Sequence, residues 1–324
     1  MRFHSLSPRK AGKNMIGAVD IGGTKIAVGV ADEEGRIGAR FESRTEAERG
    51  FAGALNRIET MLHKAVDKVR GQLLGIGIGC TGPVDPFSGV IGKVDFLPGW
   101  EGGNPVEELS RRFQVSVAME NDADAAALAE AGWGAGKGKG SLIYVTIGTG
   151  IGGGIILNGQ LYRGAAQAHP EIGHHVIDPS GPHCFCGAQG CWEVLAAGPA
   201  MVKWLKGQAP PDDPHLAGLT AKKICELAQE GEPWACRAVE RETLYLGLGL
   251  ANLVTLFAPE VIVLGGSVMR SAPLFLDGIR RIIRQNCGLV PFEKTELSLA
   301  SLGPDTPLIG AARAWHHRFL QGGN

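Results

Sequence analysis

Four side chains able to ligate a metal lie close together: His174, Cys184, Cys186 and Cys191, at separations of ten, two and five residues. Three thiolates and one imidazole suit a tetrahedral zinc ion in a structural role. The spacing is not the usual pair of C-x-x-C knuckles, so a disulfide or unliganded buried thiols compete with that reading. The other cysteines, Cys80, Cys225, Cys236 and Cys287, are scattered, which makes seven in all. An odd, uneven set in a long chain argues for a reducing compartment, hence a cytoplasmic protein, and against a disulfide.

A second group carries carboxylate chemistry. Glu120-Asn121-Asp122 falls where a strand pattern meets an alanine-rich helix pattern. In α/β folds such strand ends hold ligand-binding side chains. From local sequence alone Asp122 reads as a helix N-cap.

Three glycine turns suit phosphate. In Asp20-Ile21-Gly22-Gly23-Thr24-Lys25 a hairpin between strands turns backbone N–H groups toward an anion, and the Thr24 hydroxyl adds a donor. Asp20 could hold a hydrated Mg²⁺ beside phosphate oxygens, or the turn could be an ordinary hairpin. The second turn, Gly148-Thr149-Gly150-Ile151-Gly152-Gly153-Gly154, spends five glycines in seven residues, which is costly in backbone entropy. The third, Leu264-Gly265-Gly266-Ser267, follows a buried strand and could receive a nucleoside. Neither a P-loop nor a strand-to-helix Gly-x-Gly-x-x-Gly pattern is present.

The elements that must position these groups form two cycles. Residues 15–31 read as strand, Gly-Gly turn, strand, with a third strand after Glu34-Gly35. A helix follows over 46–70, then strands at 72–80 and 115–120 and a helix over 122–134. AGKGKG at 135–140 marks a boundary, after which strand, glycine turn and strand recur at 141–159. Residues 179–191 are irregular, and 208–215 read as a loop. Helices are expected at 219–230, 234–257, 273–287 and 306–320, with strands at 260–266 and 296–301.

The whole chain has 324 residues, of which 49 are glycine without a collagen period and 18 are proline. With 44% apolar and 20% charged residues, it reads as a folded globular protein. A net charge of -1 offers no basic field for nucleic acid. No apolar run is long enough to span a membrane. The first 14 residues hold no apolar h-region, so no secretory signal is expected.

The motifs DIGGTKI, GCTGPVD, LPGW, MENDADAAALAE, TIGTGIGGGI, PEIGH, CFCGAQGCWE and PEVIVLGG run in one order through the chain. Together they resemble the sugar kinases of the ROK family (repressor, open reading frame, kinase). The resemblance implies an α/β, two-lobed, ribonuclease-H-like fold of the hexokinase and actin type, with ATP in a cleft between lobes. The lobes would be 15–135 and 136–305, with a helix over about 306–322 returning to the first.

By the same resemblance Asp122 is the catalytic base, and Asn121, Glu171, His174 and Glu193 contact the sugar. Gly82 and Asn104 join them on the sugar side. Asp20, Gly22, Gly23, Thr24, Lys25, Thr149, Gly150, Gly152, Gly265 and Gly266 would bind ATP and Mg²⁺. His174, Cys184, Cys186 and Cys191 would hold structural zinc. The family's zinc motif, Cys-x-Cys-Gly-x-x-Gly-Cys-x-Glu, is matched throughout.

One segment departs from the pattern. GAAQAHPE at 164–171 looks more like the family's fructokinases than its glucokinases, whereas LPGW and the cysteine region look like glucokinases and N-acetylmannosamine kinases. The expected activity is ATP-dependent phosphorylation of a free hexose at O6, with glucose first. N-acetylmannosamine or N-acetylglucosamine comes next, then fructose. A sugar-responsive repressor is the non-enzyme rival. It would need a DNA-binding segment ahead of residue 15, and the intact Asp122 argues against it. A homodimer is expected from the family.

Overall fold

The computed structural model describes residues 13–208 and 218–321. They form two compact α/β units. The first takes the described chain up to Ala129 and resumes at Leu302, and the second is Glu130–Ser301.

In the first unit, β1 (Asn14–Ile21), β2 (Lys25–Ala31) and β3 (Ile37–Arg44) make an antiparallel meander. Then come α1 (Phe51–Val69), β4 (Gln72–Cys80), the short hairpin of β5 (Val84–Asp85) and β6 (Val90–Ile91), α2 (Pro105–Phe113), β7 (Ser116–Asn121) and α3 (Asp122–Trp133). The sheet order is β3-β2-β1-β4-β7, with β4 parallel to both β1 and β7. Helices cover both faces of the central strands, so β1 is buried from Met15 to Val19. Alternate residues sort by face. Val19, Ile76 and Ile78 pack with Leu55, Ile58 and Leu62 of α1, while Ile16 and Ala18 pack with α9 (Thr306–His316).

The second unit repeats the pattern. β8 (Leu142–Ile147), β9 (Ile151–Leu157) and β10 (Gln160–Leu161) form a meander. After α4 (Trp192–Ala196), α5 (Gly198–Gln208), α6 (Ala221–Gln229) and α7 (Pro233–Phe257) come β11 (Val261–Gly265), α8 (Leu276–Asn286) and β12 (Glu296–Leu299). The order β10-β9-β8-β11-β12 matches that of the first unit position for position. The echo between the two glycine hairpins is thus an echo of topology. The sequence patterns announce no element over 192–208, where α4 and α5 lie.

The unit boundaries fall at 129/130 and 301/302, whereas the sequence pattern divides at 135/136 and 305. Glu130 accounts for the difference. It is fully buried in α3, and its carboxylate accepts from Ala135 N at 2.8 Å and Ser301 N at 3.0 Å. This ties the chain at both crossings to the second unit. The leading segment up to residue 12, the expected loop from residue 209 onward and residue 322 of the last helix lie outside the described residues. Among the described residues no helix is long and apolar enough to cross a membrane.

α9 lies unusually close to its sheet because the face beneath it is built of small residues. A Cβ on Gly77 would stand 1.7 Å from the Ala311 carbonyl oxygen. On the other side, a Cβ on Gly310 would stand 2.7 Å from the Ala125 carbonyl of α3. α9 therefore sets the distance between β4 and the helix that begins at Asp122. Gly77→Ala must lift a helix backbone off the sheet. It should cost about 3 kcal/mol or more, read as a lowered midpoint in chemical denaturation. A loss below about 1 kcal/mol would mean that α9 is free to shift.

Candidate functional site

In the first unit the candidate groups leave one edge of the sheet. Ile21, Cys80 and Asn121 lie in one row across β1, β4 and β7, so the Gly22-Gly23 hairpin and Asp122 both emerge from the row's end. Gly22 N donates to Lys25 O at 3.0 Å and closes the hairpin. Thr45, just beyond β3, holds it from the side: its N–H donates to Thr24 O and its hydroxyl to Gly22 O at 2.6 Å.

Asn121 and Asp122 divide the tasks that the sequence left open. Asn121 is buried and its Oδ1 accepts from Ala123 N at 2.9 Å, which gives it the capping position at the start of α3. Asp122 Oδ1 shares that N–H at 2.8 Å, but its side chain is exposed. Gly82 belongs to the same group, since a Cβ there would stand 2.8 Å from Asn121 Nδ2.

Asp20 sits near the end of β1. Burial, reinforced by the Asp122 carboxylate, pushes its pKa from 3.8 up to about 7; Lys25 and Arg40 pull it down less strongly. A carboxyl raised by burial and by a second carboxylate holds its proton more tightly than a free one. Lys25 is not a free phosphate ligand here. Its Nζ pairs with Glu42 at 2.9 Å, and Glu42 is also bonded to Arg40. These two cations hold the Glu42 carboxyl below its usual range.

Asn104 also serves the local fold. It is the N-cap of α2, with Oδ1 accepting from Glu107 N at 3.0 Å and Nδ2 donating to Ser88 O at 2.9 Å. Both polar ends serve the fold. The Asn-Pro start of a helix is the local signal for this cap.

In the second unit a short 3-10 turn, Ile172–His174, is pressed against the start of β9. A Cβ on Gly173 would lie 1.9 Å from Ile151 O. Glu193, in the first turn of α4, reaches the same place, where its Oε2 accepts from Ile151 N at 2.9 Å. A Cβ on Gly150 would stand 2.3 Å from that oxygen, so the glycine leaves room for the Glu193 carboxylate in this position. Glu171, His174, Glu193 and the turn holding Thr149, Gly150 and Gly152 are thus gathered at one end of β9. The Gly265-Gly266 turn backs onto neighbouring β8. Gly266 has φ +91°, and a Cβ there would overlap the Ile147 backbone. Ser267 Oγ lies 3.3 Å from where a Gly148 Cβ would be. These two turns are therefore adjacent.

The ligand atoms of His174, Cys184, Cys186 and Cys191 all lie within 4.8 Å of one another. His174 turns Nδ1 toward Cys184 Sγ at 3.4 Å. Cys186 and Cys191 sulfurs are 3.6 Å apart, well beyond the roughly 2 Å of a disulfide. Burial raises the Cys191 thiol to about 12 and also raises Cys184, whereas the backbone N–H of Ala188 lowers Cys186. Three sulfurs and an imidazole nitrogen at this spacing fit a tetrahedral divalent ion, which would displace the thiol protons. The cluster is fastened to the β9 group, since Cys191 Sγ donates to His174 O at 3.3 Å and Trp192 N to His175 O at 2.9 Å.

The chain is similar to known proteins along nearly its whole length. A glucokinase of Streptomyces coelicolor is 35% identical over 314 residues, spanning 91% of this chain and 95% of that protein. The crystal structure of a ROK hexokinase from Thermus thermophilus superposes with a TM-score of 0.80 at 34% identity, covering 95% of this chain and 100% of that one. A ROK family glucokinase from Streptomyces griseus, solved with glucose and AMPPNP, gives 0.77 at 35% identity over 92% and 98% of the two chains. The ROK family model matches residues 16–318, and this chain belongs to the ROK family.

Proposed function

We propose that the protein is an ATP-dependent hexose kinase acting at O6, with glucose the first substrate to test. The observation that carries this reading is the exposed Asp122 at the start of α3, leaving the same end of the sheet as the hairpin that follows β1. A base must reach the hydroxyl proton it removes. Asp122 takes that proton while the sugar oxygen bonds to the γ-phosphorus of ATP. The bond from that phosphorus to the bridging oxygen breaks, and ADP leaves. Asn121 and Gly82 border the acceptor hydroxyl.

Glu171, His174 and Glu193 bind further hydroxyls. With His174 Nδ1 on the metal side, its Nε2 is the nitrogen that would meet the sugar. The N–H groups of the hairpins at Gly22-Gly23 and Thr149-Gly150 take phosphate oxygens, and the Gly265-Gly266 turn takes the nucleoside. Phosphoryl transfer needs alignment and charge compensation above all. Mg²⁺, when bound with ATP, supplies positive charge, and Asp20 is the residue that would hold it. Zinc on His174, Cys184, Cys186 and Cys191 is structural and fixes the segment between Glu171 and Glu193. Glucose comes first because two of the relatives above are glucokinases. N-acetylmannosamine, N-acetylglucosamine and fructose are the alternatives, and a homodimer is proposed on the family resemblance alone.

Coupled ADP-release assays over these sugars should show turnover, fastest with glucose. Asp122→Asn should lower kcat by about 10²–10⁴-fold and leave sugar binding within a few-fold. Full activity in that variant would remove Asp122 from the mechanism.

The purified protein should carry zinc, about one ion per His/Cys₃ set. Cys186→Ser should lose it and lower the melting temperature. Elemental analysis finding no zinc in the wild type would overturn the metal assignment.

Asp20 predicts a pH effect on the ligand-free protein. Its folded pKa, about 7, lies above the unfolded 3.8. Its neutral form therefore favours the fold fully below pH 4, and that contribution is lost as pH rises through 7. Asp20→Asn should leave stability similar at pH 4 and raise it at pH 8 by about 1–2 kcal/mol, after allowance for solvent screening. An equal difference from wild type at both pH values would refute the shift.

A further inference from the structure

The segment from Ile91 to Trp100 buries every third residue. Ile91, Val94, Leu97 and Trp100 are each at most 5% exposed. Successive turns hold it, with Leu97 N donating to Val94 O and Trp100 N to Leu97 O. Trp100 anchors it through an indole N–H to Ala47 O at 3.2 Å and an edge contact with Phe51 at 5.5 Å. Phe96 is thereby held outward, and it remains 69% exposed. Its stem is not loose. A Cβ on Gly23 would come within 2.5 Å of Phe96 Cβ, so the residue is seated on the hairpin itself.

The hairpin and Asp122 emerge from the same end of the sheet, two strands apart, which is about 10 Å. An exposed aromatic ring seated on a polar hairpin, with Asp122 at the same end of the sheet, has an unmet apolar face. Phosphates are served by backbone N–H groups and have no use for it. A pyranose has hydroxyls for the carboxylates and an apolar face of C–H bonds. Its hydrogens carry partial positive charge, which suits the negative face of an aromatic ring.

We propose that Phe96 is a sugar-stacking residue that receives the C–H face of the hexose whose hydroxyl Asp122 deprotonates. This deepens the kinase reading above and rests on it. Held on a pinned loop, the ring costs little ordering when the sugar arrives. Phe96 contributes binding that is equal before and during phosphoryl transfer, so its effect falls on KM for the sugar.

The test compares steady-state kinetics of wild type, Phe96→Ala, Phe96→Leu and Phe96→Tyr, with melting temperatures recorded for each. Phe96→Ala should raise KM for the hexose about tenfold while kcat and KM for ATP stay within twofold. Phe96→Leu, which keeps an apolar stem on the hairpin, should show the same direction of change. Phe96→Tyr should restore KM. An unchanged sugar KM in the alanine variant overturns the proposal, as does a rise in KM for ATP alone, or a leucine variant that restores KM as well as tyrosine does. If Phe96→Ala fails to fold, the leucine and tyrosine pair decides. Should the wild type phosphorylate no hexose, the kinase reading fails first and this inference falls with it; should it turn over glucose with Phe96 immaterial, only the stacking role is lost.

Discussion

The contact of α9 with the first sheet governs much of what lies around it. At Gly77 a helix carbonyl occupies the place where a side chain would begin. The approach buries Ala311, Ala312 and Trp315 against Ile16, Ala18 and Ala118. It also brings Gly310 against Ala125, so that α3 is packed onto α9 by backbone contact. Close-packed interiors transmit displacement. The start of α3, and with it Asp122, is therefore positioned by the last helix of the chain. The second unit has its own such contact in Gly173 on β9, which places Glu171 and His174.

Glycine thus has two uses here. From the sequence, the excess reads as backbone cleared for a nucleotide. Gly22, Gly150 and Gly265 stand in the expected turns, yet a Cβ on Gly150 would meet Glu193 and one on Gly265 would meet Tyr144. Much of the glycine content serves the protein's own packing, and these turns are part of that packing.

Charge in the first unit follows from the same geometry. Asp20 is held where its ionised form is costly, beside Asp122. The nearby cations are engaged elsewhere: Lys25 with Glu42, and Arg40 with Glu42 and Asp305. At this end of the sheet Asp20 therefore keeps a raised pKa although both cations act on it.

Most strands and helices, the repeat of the glycine hairpins, the His/Cys₃ set and the Asn-Asp junction at the end of β7 were legible in the sequence, because periodicity, turn chemistry and ligand spacing are set by residues near in the chain. Even there, α4 and α5 went unread, since Trp192 through Gln208 carries no clear cap or period. The rest was decided by tertiary structure. Asn121 rather than Asp122 is buried as the cap, Asn104 is spent on α2, and Lys25 is paired with Glu42 seventeen residues away. Glu193 finds Ile151 N across forty-two residues. A carboxylate's partner or proton depends on which groups the fold brings within a few ångströms and on how much water it excludes, and neither quantity is a property of local sequence.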